Sequence, residues 1–270
     1  MAVPLHCRSR DPVEVLFTQL WFRAVQRASN LSSAYAIGRE VEPDRFVARD
    51  GQVCKPRKWN YYACGRRVPY RGAHGESAID LLERRYPGTA RYFDSPLKQL
   101  LKGDGVTSRW VDAQLRSLTA DVVEVLYGRA GADGDRTLTL KSPTYARTRR
   151  LVDCGCWDAL VAAALLMRFG ELESAHERRL HGWMAYRAMR ICFEPCHLAT
   201  ELFTLIDERF GEWTYAHGGW EIEAHLPMER VYPWLKNSEW AEKYHERRQA
   251  LGLSLPPGFP VPAVAVRRLS

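Results

Sequence analysis

From Val13 onward the apolar positions Val13, Phe17, Leu20, Trp21 and Ala24 recur at three- and four-residue steps, the spacing of one helical face. Asp11 stands where an N-cap belongs and Pro12 occupies the first helical position, so an amphipathic helix is predicted over 12–28. A shorter helix is predicted in "SSAYAIGREV", ending before Pro43. Asp50-Gly51 is a turn signal between short β-prone runs and predicts a small hairpin or an irregular loop. A third helix is predicted from near Pro56 to Gly65, where glycine takes the left-handed stop conformation. A fourth is predicted in "GESAIDLLERRYPG", ended by Pro87-Gly88.

"TARYFDSPLKQLLKGDGVTSR" predicts a connector, with a lobe boundary at 95–108. Beyond it Val111, Leu115, Leu118, Val122, Val125 and Leu126 keep helical spacing, and Gly128–Thr137 predicts a loop. Further helices are predicted at about 143–152, 154–170, 173–191, 195–210 and 237–251. Strand signals are few and short, so the expected fold class is mainly α, in two helical lobes: a basic lobe over 1–100 and a helical bundle over 101–251. The tail 252–270 carries four prolines and is expected to be extended or disordered.

With 270 residues and 46% apolar content the chain buries a core, which excludes the disordered class. The longest largely apolar stretch, Trp157 to Met167, has eleven residues, short of the roughly 20 a bilayer crossing needs, so no membrane partner is expected. Arg8, Arg10 and Asp11 precede any apolar run, which argues against a secretory signal and for a cytoplasmic protein. Seven cysteines, an odd number, fit reduced thiols better than a disulfide framework.

Charge sharpens the picture. The net charge is +7, and residues 1–100 carry all of the excess, 17 Lys/Arg against 10 Asp/Glu, whereas 101–270 hold 22 of each. Six of the cations and four large aromatics fall within "KPRKWNYYACGRRVPYR", Lys55 to Arg71, with no acidic residue between Asp50 and Glu76. On a helix Lys55, Trp59, Tyr62 and Arg66 share one face or its edge, flanked by Arg57, Lys58 and Tyr61. Cations neutralise phosphates and planar side chains reach bases or sugars, so the pattern suits nucleic acid. The bland alternative makes Trp59 and Tyr62 the core face and the basic residues a solvated surface, although such a surface usually mixes both signs.

An aromatic helix ending in glycine, then Gly65-Arg66-Arg67-Val68-Pro69, then another amphipathic helix, resembles the second half of the lambda-repressor-like helix-turn-helix domain, over roughly residues 13–90. The resemblance implies a helix-turn-helix-like N-terminal lobe that binds duplex DNA. The segments "KWNYYACGRRVP", "ERRYPGT" and "FDSPL" are also similar to those of a group of uncharacterised bacterial proteins, which implies a bacterial source and no activity.

Other candidate chemistry is weaker. Cys154 and Cys156, with Cys192, Cys196 and His197 about forty residues on, supply enough zinc ligands, but the one-residue gap is tighter than structural zinc sites favour, and buried reduced thiols are the simpler account. His176 and His181 are five apart, off the four-residue step that shares a helical face. His217, Glu221, Glu223 and His225 are acid–base types without a shown convergence, and the glycines of 128–134 lack the Lys-Ser/Thr of a phosphate loop.

The expectation is therefore a DNA-binding protein, a transcriptional regulator in the reading of the resemblance, with no cofactor, no bound metal and no catalytic residues. The C-terminal lobe is expected to form a homodimer or to sense a partner. The expected contacts are Lys55, Arg57, Lys58, Arg66, Arg67 and Arg71, with Trp59 or Tyr61 stacking. Two rivals remain: an adaptor whose basic lobe docks an acidic protein, and an enzyme using the His, Glu and Cys set of the C-terminal lobe.

Overall fold

Both ends of the first helix are chemically marked. The Val13 N–H donates to Asp11 Oδ1 at 2.9 Å, Pro12 follows the cap, and Asn30 closes α1 (Pro12–Ser29) in the left-handed conformation. The computed structural model describes residues 11–46, 48–49, 52–53, 57–71, 77–129, 138–192 and 199–216, and among these the protein is mainly α-helical. The predicted helix at 237–251, the tail 252–270 and Lys55 lie outside the described residues. The chain divides into two compact units between Gly103 and Asp104; residues of the last helix to Leu205 fall in the first unit and those from Ile206 in the second.

In the first unit α1 buries Phe17, Leu20 and Trp21. The Trp21 ring is the centre of an aromatic cluster, edge-on to Phe22, Tyr62 and Phe93 at centroid separations of 6.2, 6.0 and 6.0 Å. α2 (Ala34–Val41) adds Ile37, a 3-10 turn Pro43–Phe46 adds Phe46, and α4 (Ala78–Arg85) adds Ile79 and Leu82. A short antiparallel hairpin, β1 (Ala48–Arg49) with β2 (Gln52–Val53), brackets the Asp50-Gly51 turn signal. α3 (Lys58–Ala63) follows it.

The expected connector is instead helical. α5 (Ala90–Phe93) and α6 (Pro96–Lys102) bury Phe93, Leu97 and Leu100. Ser95 caps α6 through the Leu97 N–H at 3.3 Å, Pro96 sits in its first turn and Gly103 ends it at φ 80°. Proline and glycine here punctuate a short helix; they do not mark a loop.

In the second unit the helical spacing of 111–126 resolves into α7 (Ser108–Arg116) and α8 (Ala120–Leu126). β3 (Tyr127–Arg129), which takes in the first two residues of the expected loop, pairs antiparallel with β4 (Leu138–Leu140) in the register Tyr127 to Leu140, and the rest of that loop, 130–137, lies outside the described residues. The Lys141 N–H extends the ladder to the Leu126 carbonyl at 2.9 Å, and the buried Tyr127 donates its hydroxyl to Asp112 Oδ1 at 2.7 Å. α9 (Tyr145–Asp153), α10 (Trp157–Leu172) and α11 (His176–Cys192) follow, and α12 (Ala199–Ala216) is the last helix among the described residues.

α10 is buried along Ala159–Met167, as a helix apolar all round must be. α11 lies close against it: a Cβ at Gly182 would sit 2.8 Å from the Met167 nitrogen and 2.9 Å from the Ala163 carbonyl oxygen. Leu115, Val122, Leu160, Leu165 and Leu202 are buried, while Leu118 and Leu205 are half-buried. Each fully buried Leu or Phe contributes roughly 1.5–3 kcal/mol.

Candidate nucleic-acid interface

α3 is two turns long, and its aromatic residues decide which face is free. Trp59 and Tyr62, three apart, both turn inward: Trp59 is 1% exposed and Tyr62 6%, with their rings edge-on at 5.8 Å. The expectation of Trp59 as a stacking group is corrected accordingly, because its ring is part of the core and its Nε1–H donates to Glu42 Oε2 at 3.2 Å. Burial pushes the Tyr62 hydroxyl pKa up, with only a partial offset from Arg67. Tyr61 is half-buried, and its carbonyl accepts the Arg67 N–H at 3.2 Å.

Two of the six cations are already neutralised. Lys58 Nζ lies 2.6 Å from Glu42 Oε2, and the same carboxylate pairs with Arg45 at 3.3 Å. Arg71 forks across two carboxylates, Asp80 in the first turn of α4 and Asp94 after α5. Asp94 and then Asp80 hold the Arg71 pKa above its usual value, with burial opposing them. Lys58 and Arg71 are thus already engaged by carboxylates, and each fastens one segment of the first unit to another.

Arg57, Arg66 and Arg67 are different. All three are exposed, and none forms an ion pair among the described residues. The turn that carries the last two is firmly built. The Gly65 N–H closes on the Tyr62 carbonyl at 3.1 Å, Gly65 takes φ 66°, and Pro69 is buried two residues after Arg67. A Cβ at Gly65 would approach Val15 Cγ1 to 2.5 Å and Gln19 to 3.4 Å, so this turn rests directly on α1. Arg23 is exposed and lies one turn beyond Gln19 on the same stripe of α1. Its Nη1 donates to Gln26 Oε1 at 3.2 Å, which holds it on the helix.

Elsewhere, Cys154 and Cys156 are half-buried free thiols, and Cys154 donates to the Arg150 carbonyl at 3.3 Å. Burial, then Cys156, raises the Cys154 pKa, the opposite of an activated thiol. Among the described residues no group of three or more His, Cys, Asp or Glu side chains is arranged to hold a metal ion. Cys196, His197, His217, Glu221, Glu223 and His225 lie outside the described residues. Among the described residues no helix is long and apolar enough to cross a membrane. No protein-family model, curated protein or solved structure matches the chain.

Proposed function

We propose that the protein binds nucleic acid, duplex DNA in the first instance, through the arginines that flank α3, in the manner of a helix-turn-helix-like regulator. The observation that carries the reading is the exposure of Arg57, Arg66 and Arg67 without a carboxylate partner among the described residues, in a unit whose surrounding cations are consumed by Glu42, Asp80 and Asp94. Cations left unpaired on a rigid turn are suited to phosphates, which they neutralise with release of counterions. Arginine is the better residue for this, since its planar fork bonds two phosphate oxygens at once. With Trp59 and Tyr62 in the core, the exposed surface offers backbone contacts more than base stacking, so affinity dominated by charge is the expected behaviour.

The test is binding of the purified full chain to duplex DNA, single-stranded DNA and RNA over a range of salt. Binding that weakens steeply with salt and favours duplex supports the reading. Absence of binding to all three at low salt sinks it and favours an acidic protein as the partner of the same surface.

A further inference from the structure

The second unit contains a partly open cavity of about 30 Å³ between the 141–144 segment, α9, α10 and α11. That is room for more than one water-sized group, each needing about 10–15 Å³. Its lining is apolar at Leu126, Leu151 and Leu166 and cationic at Lys141, Arg147 and Arg178. Among the described residues no carboxylate lines it.

The polar groups of the wall are unequal. Lys141 Nζ donates to the Glu124 carbonyl at 2.7 Å and Arg147 donates to the Ser142 carbonyl, so each contributes charge with part of its donor capacity used. Thr148 gives its proton to the Thr144 carbonyl at 3.1 Å, and its oxygen lies 2.7 Å from His181 Nδ1, so the His181 Nδ1–H is the donor there and the two side chains satisfy each other. Arg178 is the exception. Its Nε is buried with no hydrogen-bond partner among the described residues, and its guanidinium carbon lies 5.1 Å from the Phe169 ring centre. Tyr127 and then the carboxylates of Asp112 and Glu173 act on it electrostatically, and Asp112 is itself engaged by the Tyr127 hydroxyl at 2.7 Å and by Arg116 at 2.7 Å. Burial lowers the Arg178 pKa, in keeping with a cation short of partners.

A half-buried guanidinium whose Nε finds no acceptor among the described residues is costly unless an anion completes it. We propose that this cavity binds a short-chain monocarboxylate, its head paired with Arg178 and its apolar body against Leu126, Leu151 and Leu166. One free planar fork matches the two oxygens of a carboxylate. The three leucines of the lining favour a ligand with an apolar body over inorganic phosphate or a polyol. The site stands independently of the nucleic-acid reading, because every residue in it belongs to the second unit.

The experiment is a titration of the full-length protein with butyrate, butyramide and inorganic phosphate, followed by ligand-observed NMR and calorimetry, on the parent, Arg178→Met and Arg147→Gln. Butyrate is expected to bind saturably, one per chain, and butyramide at least about tenfold more weakly because it lacks the charge-assisted pair. Arg178→Met, which removes a guanidinium with an unpartnered nitrogen, is expected to fold and to lose butyrate binding. Arg147→Gln is expected to weaken butyrate severalfold through lost charge alone, and it decides the matter if Arg178→Met does not fold. The proposal is overturned by no saturable butyrate binding, by equal affinity for butyramide, by binding of phosphate in place of butyrate, or by affinity unchanged in the folded variants.

Discussion

The indole nitrogen of Trp59 donates to Glu42 at 3.2 Å, tying α3 to the residue that ends α2. The same carboxylate takes Lys58, so one glutamate of 11% side-chain exposure answers both a buried indole and an adjacent ammonium. Glu42→Ala leaves the indole N–H buried and unpaired, which costs about 1–3 kcal/mol. Lys58→Ala is expected to cost less, since Glu42 keeps Arg45 and Trp59. Urea denaturation of the two variants checks the order, and equal midpoints would contradict it.

Gly38 gives a second test of the same contact. It lies inside α2, where glycine is normally less stable than alanine by roughly 0.5–1 kcal/mol. Here an added Cβ would meet Trp59 Cδ1 at 2.3 Å and Phe46 Cζ at 2.8 Å. Gly38→Ala is therefore expected to reverse the usual sign and to destabilise by about 1–3 kcal/mol through overpacking. A thermal midpoint at or above the parent's would show that the Trp59 ring yields easily.

How far the fold could be read in advance depended on the range of the interaction. α1 was legible because its signals are local: Asp11, Pro12 and a run of apolar residues long enough to show a period. α6 was misread because seven residues are too few for a period to emerge, although Ser95, Pro96 and Gly103 mark both its ends. The β3–β4 pair was missed for the same reason, each strand being three residues long. The basic stretch shows the harder limit. Nothing near Arg71 announces Asp94, which is 23 residues away, and nothing near Lys58 announces Glu42. A run of cations is visible in a sequence; which of them remain unpaired is a long-range fact.

Acid should loosen the junction of α1 with α6. Burial works to raise the Glu14 pKa, but Lys102 and then Lys98 outweigh it, so the folded value lies below the usual 4.5. Lys98 stands 2.5 Å from Glu14, and Lys102 also reaches Asp11 at 3.1 Å. A carboxyl whose pKa is lowered by folding adds stability that is full above its unfolded pKa and is lost as pH falls through the folded one. Stability should thus decline as pH drops below about 4.5, and Lys102→Met should make that decline shallower. Parallel acid limbs for parent and variant would remove the pair from the account.

Gly65→Val is expected to be among the most damaging single changes in the first unit. A β-branched residue resists a φ of 66°, and the new side chain would strike Val15 on α1. Left-handed strain alone costs on the order of 1–2 kcal/mol, and the clash adds to it. The loss should appear in stability whether or not nucleic acid is present, which separates it from a binding defect.

Arg66 and Arg67 follow that glycine and should show the opposite behaviour to Arg71. Their side chains are exposed, while the turn is held by backbone bonds, by the Gly65 contact with α1 and by buried Pro69, none of which needs a guanidinium. Arg66→Ala/Arg67→Ala should therefore fold with unchanged stability. If both arginines meet phosphates, duplex affinity should fall and the slope of log K against log salt should flatten by up to about two units, each contact contributing near −0.9. Arg71→Ala removes a guanidinium that joins Asp80 to Asp94, and it should lower stability by up to about 1 kcal/mol, as partly exposed pairs do. Its salt slope should stay at the parent value, because that guanidinium is already matched by two carboxylates. Stability and slope measured on both variants thus form a crossed pair. A double-arginine variant with the parent's slope would reduce Arg66 and Arg67 to solvated surface, and a flattened slope in Arg71→Ala would mean that nucleic acid draws Arg71 away from its carboxylates.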